Sequence, residues 1–169
     1  PPTISIESAV TVSEDAGNIL FIVTQSAATG TTTNFDYYTT PGTAADSDDY
    51  TGAVGVPASI PAGEVSTTIS IPITDDNVHE LTEEFMVTIT NPDNATIAPG
   101  EQTGTATIND DDPAPSFSID DVALLEGDSG TTDYQFTVTK SNTPTAVDAL
   151  VDYITVDGTA VAPGDYTSL

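Results

Sequence analysis

An all-β protein is what this 169-residue sequence predicts: an antiparallel two-sheet sandwich in one complete repeat, followed by the first half of a second. Three observations carry that reading. Short runs alternate apolar and polar residues with turn residues between them, which is the periodicity of half-buried strands. Thr, Val, Ile, Ser and Gly dominate, whereas the helix formers Leu, Lys, Arg and Met are scarce, with one Lys or Arg and one Met in the chain. The motifs of the first half also return more than a hundred residues later.

The alternation begins at residues 3–6 and resumes at 10–13 and 19–25, across the turn Ala16-Gly17-Asn18. Residues 33–40 form the next strand and end at Pro41-Gly42. A strand is expected at 52–56 and another at 66–74, after the turn Pro61-Ala62-Gly63. Within 66–74, Ile69, Ile71 and Ile73 face one way, and Pro72 predicts an edge position or a bulge because it cannot donate to a ladder. Residues 85–90 put Phe85, Val87 and Ile89 inward, which turns Glu84 outward. Asn91-Pro92-Asp93 and Pro99-Gly100 precede the last strand, 104–109. So many short strands in about 110 residues predict an immunoglobulin-like antiparallel β-sandwich.

The repeat is legible motif by motif. Val12-Ser13-Glu14 corresponds to Leu124-Leu125-Glu126, residues 19–25 to 134–140, and Asp48-Asp49-Tyr50 to Gly164-Asp165-Tyr166. Asp36-Tyr37-Tyr38-Thr39-Thr40-Pro41-Gly42-Thr43-Ala44 corresponds to Asp152-Tyr153-Ile154-Thr155-Val156-Asp157-Gly158-Thr159-Ala160. The predicted domains are therefore 1–112, a complete repeat, and 116–169, which carries only the first half of a second. The junction 113–115, Pro-Ala-Pro, should be short and stiff. The opening Pro1-Pro2, running almost at once into a strand, reads as a piece of a longer protein.

The charge is extreme. Asp and Glu number 27 against one Lys or Arg, for a net charge of −26. Nucleic acid and anionic membrane are excluded as natural partners, because their phosphates would be repelled. Cations or basic partners are favoured. Cysteine is absent, so there is no disulfide framework, thiolate metal site or Cys nucleophile. No apolar run approaches the roughly 20 residues of a membrane-spanning helix.

Strand direction then sorts the carboxylates. If consecutive strands alternate in direction, one pole receives Glu14 and Asp15, then Asp46, Asp48 and Asp49, then Asp75, Asp76, Glu80, Glu83 and Glu84, and finally Asp110, Asp111 and Asp112. The rest of 1–112 holds only Glu7, Asp36, Glu64, Asp93 and Glu101. An acidic coat without a site would spread over both poles. Like charges this dense destabilise a fold unless counter-charge is bound. Oxygen donors without Cys or a second His suit Ca²⁺, which takes six to eight oxygens, better than Mg²⁺, which keeps its waters. The number of carboxylates predicts more than one ion.

These motifs together resemble the Calx-beta family, the calcium-binding sandwich of sodium/calcium exchangers and of many large bacterial surface proteins. The resemblance rests on Val12-Ser13-Glu14, on Tyr38-Thr39-Thr40-Pro41-Gly42-Thr43-Ala44, on Asp49-Tyr50, on Ile73-Thr74-Asp75-Asp76, on Glu80 with Glu83-Glu84-Phe85, and on Ala106-Thr107-Ile108-Asn109-Asp110-Asp111-Asp112. It covers 3–112 and, for its first half, 116–167. What it implies as calcium ligands are Glu14, Asp49, Asp75, Asp76, Glu80, Glu83, Asp110, Asp111 and Asp112 by side chain, and Val78 by its backbone carbonyl. Asn77 stands where some members carry a third Asp. In the second repeat only Glu126 and Asp165 have counterparts, so that site cannot be completed by this chain alone.

Other chemistries fit less well. Gly127-Asp128-Ser129-Gly130 looks like a nucleophile motif, but His79 is the only possible base, and a turn explains the glycines better. Trp is absent, which removes the usual sugar platform from a paired-carboxylate glycosidase. Catalysis is therefore not expected. His79 is expected as a solvent-facing loop residue. Asn94-Ala95-Thr96 has the form of a glycosylation sequon and reads as a turn. Three functions stay open: a calcium-rigidified module of a long secreted, adhesin-like, bacterial surface protein; a calcium-sensing domain; and an accessory ligand- or carbohydrate-binding module of a secreted enzyme. The first expects neighbouring repeats of the same chain as partners, with a cell-surface or matrix target, no membrane insertion and an extracellular location. Its strand directions send the chain out through the acidic pole, so repeats would stack head to tail with Ca²⁺ at the joint.

Overall fold

The computed structural model describes residues 1–169 and consists of two units, Pro1–Pro113 and Ala114–Leu169. In the first unit the strands are β1 (Thr3–Ile6), β2 (Ala9–Ser13), β3 (Asn18–Gln25), β4 (Thr33–Pro41), β5 (Val56–Ile60), β6 (Ser66–Pro72), β7 (Glu83–Asp93), β8 (Thr96–Ile97) and β9 (Thr103–Asn109). They form two sheets, ordered β6-β3-β1-β8 and β2-β9-β7-β4-β5. The sheets are antiparallel except for β1 with β8 and β2 with β9, which run parallel. These exceptions arise because the N-terminal stretch changes sheets between Ile6 and Ala9 and keeps its direction.

Alternation builds the core. In β3, Ile19, Phe21 and Val23 are buried while Leu20 and Ile22 face out. Ile4, Ile6, Ile69 and Ile71 complete that layer. Phe35, Ile60, Phe85, Val87, Ile89, Ala106 and Ile108 face it from the five-stranded sheet. Each fully buried Ile, Val or Phe contributes about 1.5–3 kcal/mol. The inward set of β7 is the one its alternation predicts, and Pro72 lies on the edge strand β6. Gly104 has a packing reason: a Cβ there would run into the carbonyl oxygen of Glu7 and the ring of Phe21.

Some boundaries differ from the sequence reading. The strand expected at 52–56 lies at Val56–Ile60. Residues before it take part of their bonding from side chains: Gly52 N–H donates to Asp46 Oδ1 at 2.7 Å and Ala53 N–H to Thr39 Oγ1 at 2.8 Å, while Ala53 O accepts from Thr39 N–H at 2.9 Å. The strand expected at 66–74 ends at Pro72; beyond it Ile73 makes an isolated bridge to Tyr50 and donates to Gly17 O at 3.1 Å. A 3₁₀ turn, Glu14–Ala16, and the two-residue β8 carried no periodic signal, because both are too short to show one.

Register fixes the poles. Asn18 pairs with Pro72, Ser13 with Asn109, Pro41 with Phe85 and Glu83 with Ile108. All these pairs stand at one end of the sandwich, so the loops after β2, β4, β6 and β9 share that end.

The second unit holds two short strands, β10 (Phe117–Ile119) and β11 (Val138–Lys140), paired antiparallel, and none of its residues is buried. The other strands that the repeat predicts there do not form a sheet. What survives reproduces the first unit bond for bond. Ser26 N–H donates to Thr3 O at 2.9 Å and Thr3 N–H to Ser26 Oγ at 3.0 Å, and the same pair recurs between Ser141 and Ser116 at 2.8 and 3.1 Å. Glu7 N–H donates to Ile22 O at 2.9 Å, and Asp120 N–H donates to Thr137 O at 3.2 Å. Local sequence is enough for such bonds, whereas burial needs a second sheet. Gly127 and Gly130, at φ of 88° and 86°, form the turn expected of them.

Candidate metal centre

Four loops at the acidic pole bring six carboxylates into two trios. Glu14, Asp110 and Asp112 each offer an oxygen within 4.8 Å of the others, and so do Asp49, Glu80 and Glu83. Glu14 opens the 3₁₀ turn after β2, Glu83 is the first residue of β7, and Asp110 directly follows β9. Glu14, Asp49, Thr74, Glu80, Leu81, Glu83, Ile108 and Asp110 line one small cavity. Its floor is apolar at Ile108 and its walls are carboxylate.

The backbone holds these groups in place. Asp49 N–H donates to Ala45 O at 3.1 Å, while Ala45 N–H returns a bond to Asp49 Oδ2 at 2.5 Å. Thr74 N–H donates to Asp49 O at 2.9 Å and ties this turn to the loop after β6. Behind it, Tyr50 is fully buried and stacks on Phe85 with ring centroids 3.9 Å apart. Asp76 N–H donates to Glu14 Oε1 at 3.0 Å, and Val78 N–H donates to Asp76 Oδ1 at 2.6 Å. Glu80 N–H donates to Asp110 Oδ1 at 2.9 Å. Each bond joins two of the acidic loops or closes one of them.

Burial and mutual repulsion set the electrostatics. Glu14 is 7 % exposed, and burial pushes its carboxyl up to about 6, helped by Asp76, Asp112 and Asp110. Glu83 is raised to about 7 by burial first, then by Asp49, Glu80 and Glu14. Glu80 is raised by burial and by Asp49. Asp111 and Asp112 move the same way through loss of solvation and neighbouring aspartates. Glu83 Oε2 and Asp112 Oδ2 are shielded from solvent and accept no hydrogen bond. Burial and like charge favour neutralising these carboxyls, by a proton shared between Glu83 and Asp49 or by a bound cation, and the donor set of hard oxygens fits a divalent one.

The sequence-derived residues distribute unevenly over this geometry. Glu14, Asp49, Glu80, Glu83, Asp110 and Asp112 converge. Asp76 lies against Glu14 through its backbone. Asp75 and Asp111 are exposed outside both trios, where their charges and that of Asp15 act on one another. Val78 is half-buried beside the Asp76 turn. Glu84 faces away, accepting from Thr107 Oγ1 at 3.4 Å. His79 corrects the expectation of a solvent-facing residue: it is half-buried, and its Nδ1 lies 2.7 Å from Asp110 Oδ2 and 3.2 Å from Asp112 O. Chain folding after Val78 presses the ring against the loop after β9, a contact 31 residues away that no local pattern announces. Thr74 and Leu81 were likewise not anticipated as lining residues.

A two-sheet sandwich with a carboxylate-lined pole defines the class of cation-binding β-domains. The Calx-beta domain family matches this chain over residues 1–112 and again over 110–169, so the chain belongs to that family. Among solved structures, the apo-form Calx CBD1 domain is 29% identical with a TM-score of 0.60, covering 66% of this chain and 98% of that one. CBD12 from CALX1.2 is 29% identical with a TM-score of 0.60, covering 69% of this chain and 48% of that chain. The calcium binding domain CBD12 of CALX1.1 is 29% identical with a TM-score of 0.59, covering 64% and 44%. This chain thus spans less than half of each CBD12 structure. No curated protein matches it.

Proposed function

We propose that residues 1–112 bind Ca²⁺ at the acidic pole, taking more than one ion, and that the module serves as a calcium-rigidified element of a longer extracellular, adhesin-like bacterial protein. The observation that carries the calcium reading is the convergence of six carboxylates from four loops, with two buried oxygens that find no donor. The family and the calcium binding domain among the similar structures support the same ion. Glu14, Asp110 and Asp112 hold one position, and Asp49, Glu80 and Glu83 another. The ion supplies counter-charge and nothing reacts. Asp75, Asp76, Asp111 and the Val78 carbonyl complete the coordination from the outer side.

Rigidification follows from where the ligands sit in the chain. Asp110 and Asp112 are the last residues before Pro113-Ala114-Pro115, so a bound ion immobilises the exit of the domain. Adjacent repeats are the expected partners, and the net charge of −26 suits a calcium-rich medium outside the cell. Calorimetric titration of the chain with Ca²⁺ tests the reading. Binding of two or more ions, lost in Glu83→Gln with Asp110→Asn, is expected; no heat and no saturable binding would overturn it.

A further inference from the structure

We propose that Thr43 is a positioning residue for the ion position formed by Asp49, Glu80 and Glu83: it sets Glu83 beside Asp49 by holding the backbone of Glu84, and it is not itself a ligand. Its effect on metal rests on the calcium reading of that trio. The argument starts at the end of β4. Pro41 pairs with Phe85 and has no N–H, and the strand stops there. Two residues on, Thr43 Oγ1 accepts from Glu84 N–H at 2.8 Å, and Ala44 N–H donates to Glu84 O at 3.0 Å. Both main-chain groups of Glu84 are therefore held by the loop after β4, and a hydroxyl stands where a strand would offer a carbonyl. The carboxylate of Glu84 turns aside to Thr107. Its part in the site is played by its peptide groups.

This hold joins two ligands by a short path. Glu83 directly precedes Glu84 in β7. On the other side, the N–H next after that of Ala44 belongs to Ala45 and donates to Asp49 Oδ2 at 2.5 Å. Successive amides of one loop thus fix the start of β7 and the Asp49 carboxylate. The loop has no slack at this point. Ala44 is fully buried, and a Cβ at Gly42 would run into the carbonyl oxygen of Glu84, an approach that only glycine permits. Without the Thr43 hydroxyl, Glu84 N–H loses its acceptor, and the strand end that carries Glu83 is tied to the loop by the Ala44 bond alone. Glu14, Asp110 and Asp112 stand on the loops after β2 and β9, so the two ion positions should respond differently.

The test is calorimetric calcium titration of the full chain. Thr43→Val replaces the hydroxyl with a methyl group of similar size. It should weaken one binding step on the order of tenfold, the usual scale for losing a group that orients a metal ligand. That step should be the one weakened by Glu83→Gln. Thr43→Ser, which keeps the hydroxyl, should restore it. Added to Glu83→Gln, Thr43→Val should cost less than about threefold more, because the ligand it positions is already gone. Equal weakening of both steps, a full additive effect on Glu83→Gln, unchanged affinity in Thr43→Val or no rescue by Thr43→Ser would each overturn the proposal. The hold itself is read without metal. In EDTA, amide exchange at Glu84 should quicken about tenfold or more in Thr43→Val while that at Phe21 stays slow, since only the local bond is lost. Unchanged exchange at Glu84 would overturn the proposal as well. An unaltered chain that takes up no calcium would refute the calcium reading, and quickened Glu84 exchange in Thr43→Val would then still leave Thr43 as the residue that sets Glu83 beside Asp49.

Discussion

Glu83 sits where burial and like charge act together, and its behaviour should change sign with calcium. Its folded pKa of about 7 and that of Glu14 of about 6 lie above the ordinary value of 4.5. Between those limits the folded state binds more protons than the unfolded state. The stability these groups contribute is therefore full below about 4.5 and is lost as pH rises through 6 and 7. Without metal, the melting temperature should fall from pH 5 to pH 7.5, and a rise over that range in EDTA would contradict the assignment. Calcium binding at pH 6 should release protons, seen as a buffer-dependent heat. Glu83→Gln should raise the melting temperature in EDTA yet weaken calcium binding on the order of tenfold, because a repelling charge and a ligand are removed together. These carboxylates were legible in sequence as a cluster. Their separation into inner trios and outer residues such as Asp75 was not, because exposure at a loop tip depends on how far each loop leans over the pole.

At the scale of elements, the site depends on β7 and the loop after β4 as much as on its ligands. Phe85 leads the apolar face of β7, and the stacked Tyr50 behind it positions Asp49. Phe85→Ala should cost about 3–5 kcal/mol in chemical unfolding. It should also weaken calcium binding without removing a ligand; unaltered affinity would show that the Asp49 turn holds itself. Asp49→Asn keeps an acceptor for Ala45 N–H and removes the charge that repels Glu80 and Glu83, so stability in EDTA should hold or rise while calcium affinity falls. Alternation revealed β3 and β6 to within two residues and the inward face of β7, though β7 extends from Glu83 to Asp93 beyond the expected 85–90. It misplaced β5, since the Gly52 and Ala53 N–H groups take their bonds from the Asp46 and Thr39 side chains, and a side chain's competition for backbone groups leaves no period-2 trace.

At the scale of the whole molecule, the two units should respond differently to metal. Calcium a hundredfold above its Kd adds about 2.7 kcal/mol per site, which corresponds to a melting shift of about 10 °C in a domain of this size. Coincident melting curves with and without EDTA would remove the calcium reading. The shift should belong to Pro1–Pro113, with amides of β7 and β9 exchanging last. Residues 114–169, with no buried side chain, should exchange fast in either condition and add no second transition.

The sequence by itself determined the sandwich, its repeat and the pole to which the acids go, because alternation, turn residues and strand direction are local properties that sum along the chain. It determined the local hydrogen bonds of the second repeat for the same reason, down to the Asp49 turn reappearing at Asp165. Only the tertiary structure decided which acids meet, that His79 leans on Asp110, and that Tyr134, Phe136 and Val138 stay exposed. Those outcomes are set by contacts tens of residues apart and by whether a second sheet is present to cover the first.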